Sequence, residues 1–522
     1  MMKHLILFVL FIFGSLELHA QFPGIAWERC YGGTEADNCF AICEAHDGNY
    51  IIAGTASSED GDLDTNWGNF DVWLVKLDSA DGSIIWEKHH GGGAYDNCKA
   101  VITTLDGGYI LTGETRSPFI PGSWGPTNYD MYVCKIDSLG NLQWHRCYGG
   151  SDDDGGLSII QNADSTYMVA GYAESIDGDV TVQRGVYDYW VVKLDVSGNI
   201  LWQKTYGGST YDYATGIVHA DSTNYVIAGR ASSNDSDVTG NHGGNDFWVI
   251  KIDSAGNLIW QNAFGGSMDD YCNSLAVLNN QYYCGGYIYS GDGDVTGFHG
   301  GIFDGWLIKI DTNGQLLNER AIGGSGGDGI YSVNVRGNDI LVADHLGSID
   351  GDLTGLSSYG GGDFLAMRLD TSLNIQWINN YGGNENDVVR SSFISSSNHI
   401  VLAGPTLSDS GLTNYHYSPF TLVDIWVAKI DTSLTTQAPE SISIKEGAVV
   451  YPNPFHSEFT IYLNENRRSF SYEITNALGQ TFLKKNIIGN SCTVNLASYP
   501  AALYFLKIIS GNQTTNFKIL KK

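Results

Sequence analysis

The chain has 522 residues, 12% of them aromatic, with 65 glycines, only 10 prolines and a formal net charge of −30. This composition suits short strands joined by glycine turns, and no segment after the N-terminus has the long apolar stripe of a buried helix, so the sequence predicts an all-β fold. The charge is uneven, with 54 acidic and 19 basic residues before Ser441 but 4 acidic and 9 basic residues from there onward. Two parts of opposite balance predict two domains, and the acidic part is expected to repel nucleic acid and anionic membranes.

Residues 1–20 have the features of a signal peptide. Lys3 and His4 precede an apolar run that ends at Phe13, and the small residue Ala20 suits a cleavage site. The run is short for a membrane span, and no other stretch reaches about 18 apolar residues. We therefore expect an exported mature protein without a membrane span.

A unit of about 58 residues repeats along most of the chain. Tryptophan marks the same place in six of seven copies, with asparagine in the sixth: Trp27, Trp86, Trp144, Trp202, Trp260, Asn318 and Trp377. Ten residues later, after a Gly-Gly pair, every copy has an aspartate: Asp37, Asp96, Asp154, Asp212, Asp270, Asp328 and Asp387. A period of this length predicts an array, a solenoid or a propeller.

Each copy contains four predicted strands, of which the last two are clearest in the fourth unit. Alternating residues predict one strand over Phe247–Ile252 and a returning strand over Leu258–Ala263, joined by a tight turn. The third strand of each copy carries a base: Lys76, Lys135, Lys193, Lys251, Lys309, Arg368 and Lys429. Four strands in each of seven units predict a seven-bladed β-propeller over residues 24–431.

The two ends of the repeat region favour a closed ring. The chain begins with a strand around Trp27 that would be the outermost of a blade, and the last repeat ends at Asp431 with three strands. We predict that the first strand completes the last blade, since this removes an open sheet edge.

These residues resemble the bacterial secreted beta-propeller repeat family. Its unit is similar to GG-x-x-x-D, then GNYIIAG, then D-x-W-x-x-K-x-D-x-x-G in this sequence, and the resemblance covers roughly Gly24 to Asp431. It implies an architecture and says almost nothing about activity.

The C-terminal part loses the repeat. Residues 432–447 form a predicted linker, and residues 448–522 form a predicted small β-sandwich. Its strands are predicted near Phe459–Leu463, Phe470–Thr475, Gln480–Lys485 and Tyr504–Ile509. The sorting motif consists of Tyr451, Pro452, Asn453, Pro454, Phe455, Lys521 and Lys522.

With the turn at residues 476–480, this motif resembles the type A C-terminal sorting domain of the type IX secretion system of Bacteroidota. The family usually has glycine before the late Tyr-Phe pair, where this chain has Ala501-Ala-Leu503. The resemblance implies contact with the type IX secretion machinery and a secreted or outer cell-surface location.

The loops between the second and third strands repeat an acidic pair: Asp60 and Asp62, Asp177 and Asp179, Asp235 and Asp237, Asp292 and Asp294, and Asp350 and Asp352. Clustered carboxylates on a glycine turn are ligands that calcium prefers, and calcium is the one cofactor that the sequence suggests. The 12-residue EF-hand pattern is absent, and aspartate and glycine also suit turns in which carboxylates cap N–H groups. Both interpretations remain open. Cys39, Cys98 and Cys272 occupy equivalent repeat positions and are expected to be small core residues.

Aromatic side chains in the longer loops are candidate ligand-binding residues. They are Trp67, Phe119, Trp124, Phe298, His299, Tyr359, Tyr415 and Tyr417. All are expected on the face that carries the Gly-Gly loops and the long loops, which we call the long-loop face. Exposed rings beside carboxylates suit sugars or peptides, although packing of the loops over the blades would also account for them.

Together these features predict a secreted, non-catalytic propeller that binds an extracellular glycan or protein through its long-loop face. The recurring aspartates and bases are too regular for one catalytic centre, and Gly323–Gly327 lacks the strand-to-helix context of a nucleophile elbow. The alternative is a polysaccharide-cleaving hydrolase or lyase with its site at the central channel.

Overall fold

The computed structural model describes residues 24–64, 66–409 and 422–432, and in the C-terminal part residues 443–445, 448–451, 458–463, 469–476, 480–489, 491–500, 502–510 and 513–521. The chain divides into two compact units, Gly24–Thr432 and a second unit that contains Ser433–Lys522. The predicted signal peptide and most of the predicted linker lie outside the described residues. Within the described residues, no helix is both long and apolar enough to cross a membrane.

The larger unit is built from four-stranded antiparallel sheets, seven of them in its described residues. The chain starts with β1, Gly24–Tyr31. Sheets 1 to 3 contain β2 (Asp37–Glu44), β3 (Tyr50–Ala56), β4 (Asp71–Leu77), β5 (Ile84–His90), β6 (Asp96–Thr103), β7 (Tyr109–Thr115), β8 (Asp130–Ile136), β9 (Leu142–Tyr148), β10 (Asp154–Gln161), β11 (Tyr167–Ala173), β12 (Asp188–Leu194) and β13 (Ile200–Tyr206). Sheets 4 and 5 contain β14 (Asp212–His219), β15 (Asn224–Ala231), β16 (Asp246–Asp253), β17 (Leu258–Phe264), β18 (Asp270–Leu278), β19 (Gln281–Ile288), β20 (Asp304–Ile310) and β21 (Leu316–Ile322). Sheet 6 contains β22 (Gly329–Arg336), β23 (Asp339–Leu346), β24 (Asp363–Leu369) and β25 (Ile375–Tyr381), and sheet 7 combines β26 (Ser391–Ile394), β27 (Ile400–Thr406) and β28 (Asp424–Asp431) with β1.

The seven sheets close into a ring. Strand β1 pairs antiparallel with β28, from Gly24 opposite Asp431 onward, so the N-terminal strand completes the last sheet as predicted. Sheet 7 then meets sheet 1, where the Ile42 backbone N–H donates to Ser391 Oγ at 3.2 Å. The architecture is all-β and propeller-like, with the first strand of each sheet innermost.

The second and third strands carry the core. In β3, β4, β7, β8 and β11 every residue is buried, because neighbouring sheets cover both faces. Five of the largest buried side chains are the tryptophans of the third strands: Trp73, Trp190, Trp248, Trp306 and Trp426. The nine cysteines are free thiols, and the three expected in the core are buried.

The aspartate that opens each first strand ties the loops together. In sheet 1, Asp37 accepts hydrogen bonds from the Gly33 N–H at 2.8 Å, the Ser58 hydroxyl at 2.7 Å and the Ser57 N–H at 3.1 Å. A glycine N–H donates in the same way to Asp96, Asp154, Asp212, Asp270, Asp328 and Asp387. These carboxylates therefore satisfy loop N–H groups that burial removes from water.

The bases of the third strands act at the opposite ends of the sheets. Lys76 Nζ lies 2.7 Å from Asp47 in the turn of its own sheet, and Lys429 Nζ donates to the Ser79 carbonyl of the next sheet at 2.7 Å. These contacts fix turns and join sheets, in agreement with the structural role expected from their regularity.

The C-terminal unit contains two further four-stranded sheets. Its strands are β29 (Ser443–Lys445), β30 (Ala448–Tyr451), β31 (Glu458–Leu463), β32 (Ser469–Thr475), β33 (Thr481–Ile488), β34 (Ser491–Asn495), β35 (Leu503–Ser510) and β36 (Gln513–Leu520). The sheet orders are β29-β30-β31-β34 and β33-β32-β35-β36, and residues of both sheets, such as Phe459 and Tyr504, share one apolar core. Sequence patterns missed β29, β30, β34 and β36. The β-sandwich itself stays a prediction.

Two ends of the predicted sorting motif are described. Tyr451 closes β30, and Lys521 is buried, with its Nζ donating to the carbonyls of Leu496 at 2.9 Å and Ala497 at 3.1 Å. The Tyr499 carbonyl accepts a further bond from the same ammonium. Pro452, Asn453, Pro454, Phe455 and Lys522 lie outside the described residues.

Candidate ligand-binding surface

Two kinds of loop build the long-loop face, and the predicted acidic pairs hold them together. Asp60 Oδ1 accepts the Thr34 N–H at 2.8 Å, and Asp62 Oδ2 accepts the Gly32 N–H at 3.2 Å. The loop between the second and third strands is thereby tied to the Gly-Gly loop. Aspartate and glycine are found at these positions because carboxylates cap N–H groups there while glycine permits the left-handed turn, as at Gly61 with φ of 73°.

The other four acidic pairs repeat this arrangement. A serine N–H donates at 2.7 to 2.8 Å to the first member of each pair: Asp177, Asp235, Asp292 and Asp350. A glycine N–H donates at 3.3 to 3.4 Å to the second member in three pairs, Asp179, Asp237 and Asp294, whereas Asp352 lies 3.3 Å from Arg320 Nη2. The serine N–H bonds lower the pKa of Asp292 and Asp350.

The structure gives the acidic pairs a capping role. Among the described residues, no group of three or more His, Cys, Asp or Glu side chains is close enough together to hold a metal ion. Calcium binding stays a prediction.

The loop aromatics predicted to bind a ligand are spread over the face. Trp67, Phe119, Trp124 and Tyr359 are 56%, 95%, 52% and 49% exposed and belong to loops of sheets 1, 2 and 6. Tyr415 and Tyr417 lie outside the described residues.

Phe298 and His299 contact other residues of the propeller. Phe298 packs against the core between sheets 4 and 5. His299 Nδ1 lies 3.0 Å from the buried Asp304, and its Nε2 lies 3.7 Å from Asp352 in the next sheet. His299 therefore bridges two sheets.

Four of the predicted ligand-binding residues, Trp67, Trp124, His299 and Tyr359, share one position in the repeat. Just before the third strand, a backbone N–H donates to the carboxylate of the aspartate that opens that strand, and the donors are Trp67, Trp124, Arg184, His242, His299 and Tyr359. Successive sheets supply one each, so these side chains are distributed around the ring and do not converge on one site.

A further set of aromatic rings lies at the long-loop ends of the first three strands of sheets 3 to 5. We call it the aromatic belt, and its members are Tyr172, Tyr187, Tyr211, Tyr213, Tyr271, Tyr287, Tyr289 and Phe303. In sheets 3 and 4, the Tyr213 ring centroid lies 5.1 Å from that of Tyr172 and 4.9 Å from that of Tyr187. In sheet 5, Tyr287 lies 5.0 Å from Tyr271 and 5.1 Å from Phe303.

Arg230 joins the two halves of the belt. Its guanidinium carbon lies 4.7 Å from the ring centroids of both Tyr213 and Tyr271, so the cation is held between two aromatic faces. Tyr213 and Arg230 are opposite each other on paired strands, which fixes this contact by register. The Tyr211 ring is 48% exposed, and most other belt rings are partly exposed.

Carboxylates lie beside the belt and are bound to groups of the protein. Glu114 accepts the Tyr172 hydroxyl at 3.1 Å, and Asp269 accepts the Asn245 N–H at 2.8 Å. Burial raises the pKa of Tyr287 to about 12, so its phenol stays neutral and can donate. The belt therefore offers apolar ring faces together with hydroxyl and guanidinium donors.

Sequence reasoning missed this belt, although the signal was present. Tyrosine follows the Asp of the first strand at Tyr213 and Tyr271, where sheets 1, 2 and 7 have Asn38, Asn97 and Val388. Comparison of equivalent repeat positions would have shown this difference between units, although the pair Tyr187 and Tyr211 has an aromatic equivalent in Phe70 and Tyr95.

Comparison with known proteins finds limited likeness for the repeat region. The chain is 24% identical over 211 residues to the regulatory protein FlaEY of Caulobacter vibrioides, and the match spans 37% of this chain and 22% of that protein. Hydrazine synthase of Kuenenia stuttgartiensis is 11% identical, with 71% of this chain and 93% of that chain covered and a TM-score of 0.45. The extracellular region of plexin A4 is 8% identical, with coverage of 96% and 62% and a TM-score of 0.41.

The C-terminal unit has a specific match. Residues 449–522 match the model of the secretion system C-terminal sorting domain. This agrees with the sorting motif found in the sequence, and it implies interaction with the type IX secretion machinery. The protein thus carries a type IX C-terminal sorting domain, which indicates secretion or a cell-surface location.

Proposed function

We propose that residues 24–431 form a seven-bladed β-propeller that binds an extracellular glycan through its long-loop face, after export by the sorting domain. The observation that carries this proposal is the aromatic belt. Eight rings lie together in three neighbouring sheets, whereas the aspartates and bases of the fold recur in every sheet. A feature that breaks the repeat symmetry is expected where a ligand binds.

The chemistry of the belt suits a sugar chain. Aromatic faces stack on the apolar faces of sugar rings, and nearby phenol, guanidinium and carboxylate groups can bond to hydroxyls. Four of the belt rings, Tyr172, Tyr213, Tyr271 and Tyr287, lie on strands, so little ordering of these rings is required when a ligand binds. A protein ligand is the alternative, and the same experiment distinguishes it.

The experiment applies the full chain to an array of glycans and secreted proteins, once with calcium and once with chelator. We expect glycan binding that is lost in Tyr211→Ala and Tyr271→Ala. Phe119→Ala is the matched control, because Phe119 is an exposed ring on the same face but outside the belt.

Each outcome decides between the alternatives. Loss of binding in Phe119→Ala, with the belt variants unaffected, would move the site to the outer loops. If the chain binds only proteins on the array, the ligand is a protein and not a glycan. If it binds neither class, the proposal is refuted. Loss in chelator would assign the acidic pairs a calcium-binding role.

A further inference from the structure

Three arginines at the inner end of the long-loop face have no hydrogen-bonded or ion-paired carboxylate among the described residues, although Arg230, after the Asn245 hydrogen bonds, helps to lower the pKa of Asp269. Arg116, Arg230 and Arg390 belong to sheets 2, 4 and 7, at the long-loop end of a first or second strand. None of their guanidinium groups forms a hydrogen bond or an ion pair with another described residue, and the Nε atoms of Arg116 and Arg390 are buried without an acceptor. In a chain of net charge −30, arginines without carboxylate partners require an explanation.

Aromatic faces hold these guanidinium groups in place. Arg116 lies 3.9 Å from the Tyr129 ring centroid, and Arg390 lies 4.8 Å from that of Tyr331. Together with Arg230 between its two tyrosines, all three cations are stacked on rings. Stacking fixes the plane of the guanidinium and leaves the N–H donors at its edge free to bind a ligand.

Several arginines elsewhere in the propeller use their donors within the protein. Arg184 lies 3.2 Å from Asp237, Arg29 donates to a carbonyl at 2.8 Å, and Arg336 donates to the Ser396 carbonyl at 2.9 Å. Arg146, on the outer strand β9, also has no hydrogen-bond or ion-pair partner among the described residues. Unlike it, Arg116, Arg230 and Arg390 combine stacking on a ring with donors that no described residue uses.

The acidic groups of the same region are already bound. Besides Glu114 and Asp269, Asp153 accepts the Tyr129 N–H at 2.7 Å. Glu114, Asp153 and Asp269 are thus bonded to N–H and hydroxyl groups of the protein, whereas the three guanidinium groups have no acceptor among the described residues. A ligand that completes this site has to supply acceptors, and a planar guanidinium edge binds carboxylate or sulfate groups most strongly.

We infer that the glycan bound by the long-loop face is anionic, with carboxylate or sulfate groups that bind to Arg116, Arg230 and Arg390. This inference rests on the proposed function. The net negative charge of the chain opposes approach of a polyanion, but at about 0.15 M salt the Debye length is about 8 Å. Contacts at the belt then dominate over the more distant carboxylates.

The test uses the full chain and an array of neutral, uronate-bearing and sulfated oligosaccharides of matched length at about 0.15 M salt. Each bound uronate is compared with its carboxyl-reduced form, which keeps the sugar rings and removes the charge. We expect binding to charged members, with a loss of about tenfold or more on carboxyl reduction or desulfation. The uronate and sulfate arms identify which anion the site prefers.

Variants then test the residues. Arg230→Gln and Arg390→Gln are expected to weaken binding about tenfold, and Arg230→Lys, which keeps the charge but not the planar fork, less than that. Arg336→Gln, at the opposite end of its strand, is the matched control and is expected to bind like the wild type.

Two different failures are distinguishable. Neutral glycans bound as tightly as charged ones, with the arginine variants unchanged but Tyr271→Ala inactive, would overturn the anionic ligand and leave the proposed function standing. Absence of glycan binding altogether would overturn both. Unfolding curves that match the wild type show that a loss of binding in a variant reflects the site and not the fold.

Discussion

Asp344 is a buried acidic residue that makes the stability of the fold depend on pH. The second strands of the other six sheets have glycine at this place: Gly54, Gly113, Gly171, Gly229, Gly286 and Gly404. In sheet 6 the residue opposite Asp344 is Leu365, where five of the other sheets have tryptophan and sheet 2 has tyrosine. Asp344 also lies next to Gly305 of sheet 5. The smaller neighbours provide the space for a carboxyl group.

This carboxyl is fully buried, and neither of its oxygens has a hydrogen-bond partner among the described residues. Burial raises the pKa of Asp344 well above its usual value, and the nearby carboxylates of Asp328 and Asp304 raise it further. The folded protein therefore retains a proton that the unfolded chain releases near pH 4.

The sign of the pH effect follows from this difference. Above about pH 4 the folded state binds one more proton at Asp344 than the unfolded state, so the free energy of unfolding falls as pH rises. The slope is about 1.4 kcal/mol per pH unit until the folded-state pKa is reached, above which it vanishes. Asp344→Asn removes the titrating group while keeping its shape.

We expect the free energy of unfolding of Asp344→Asn to exceed that of the wild type by an amount that grows by about 1.4 kcal/mol per pH unit from about pH 4 upward. Denaturant unfolding followed by tryptophan fluorescence at pH 5, 6, 7 and 8 measures this gap. Asp292→Asn is the control, because the pKa of that exposed aspartate is lowered by an N–H bond and its gap is expected to be flat over the same range. Parallel profiles for Asp344→Asn and the wild type would refute the reasoning.

Three further predictions concern packing, loop caps and the sorting domain. Gly54→Ala is expected to destabilise the propeller by about 3 kcal/mol or more, because the new Cβ would collide with the Asn38 carbonyl oxygen. The control is Gly24→Ala, whose Cβ meets no atom and which is expected to leave the stability unchanged. Thermal unfolding of both variants checks this. Asp177→Ala is expected to lower the free energy of unfolding by about 1 kcal/mol, equally in calcium and in chelator, because the loop loses its cap. A destabilisation seen only with calcium would contradict the capping role. Lys521→Met leaves three carbonyls, of which that of Leu496 is buried, without this donor. We therefore expect a less stable C-terminal unit and retention of the protein before release, measured by fractionation of the producing cells.

Much of the fold could be predicted from the sequence because each sheet is specified locally. The spacing from Trp202 to Trp260 sets the length of a unit, alternation sets its strands, and glycine turns set its connections. Even the closure by β1 was predictable, since a missing strand at one end matched an extra strand at the other. The sorting domain was recognisable for a similar reason, because its motif is contiguous along the chain.

The candidate site was predictable only in part. The long loops, with Trp67 and Trp124, are exposed as their composition suggested, but the structure separates them around the ring. Phe298 and His299 looked equivalent to them in sequence, yet their side chains pack inside or bridge to a neighbouring carboxylate.

By itself the sequence determined the repeat, the strand order within each unit and the route of export, because these depend on residues that are close along the chain. The tertiary structure alone decided which equivalent positions of different units meet. Tyr213, Arg230 and Tyr271 are spread over 59 residues but stack within 5 Å at one end of adjacent sheets. Packing of consecutive sheets brings such positions together, and no local pattern records which side chains will then be neighbours.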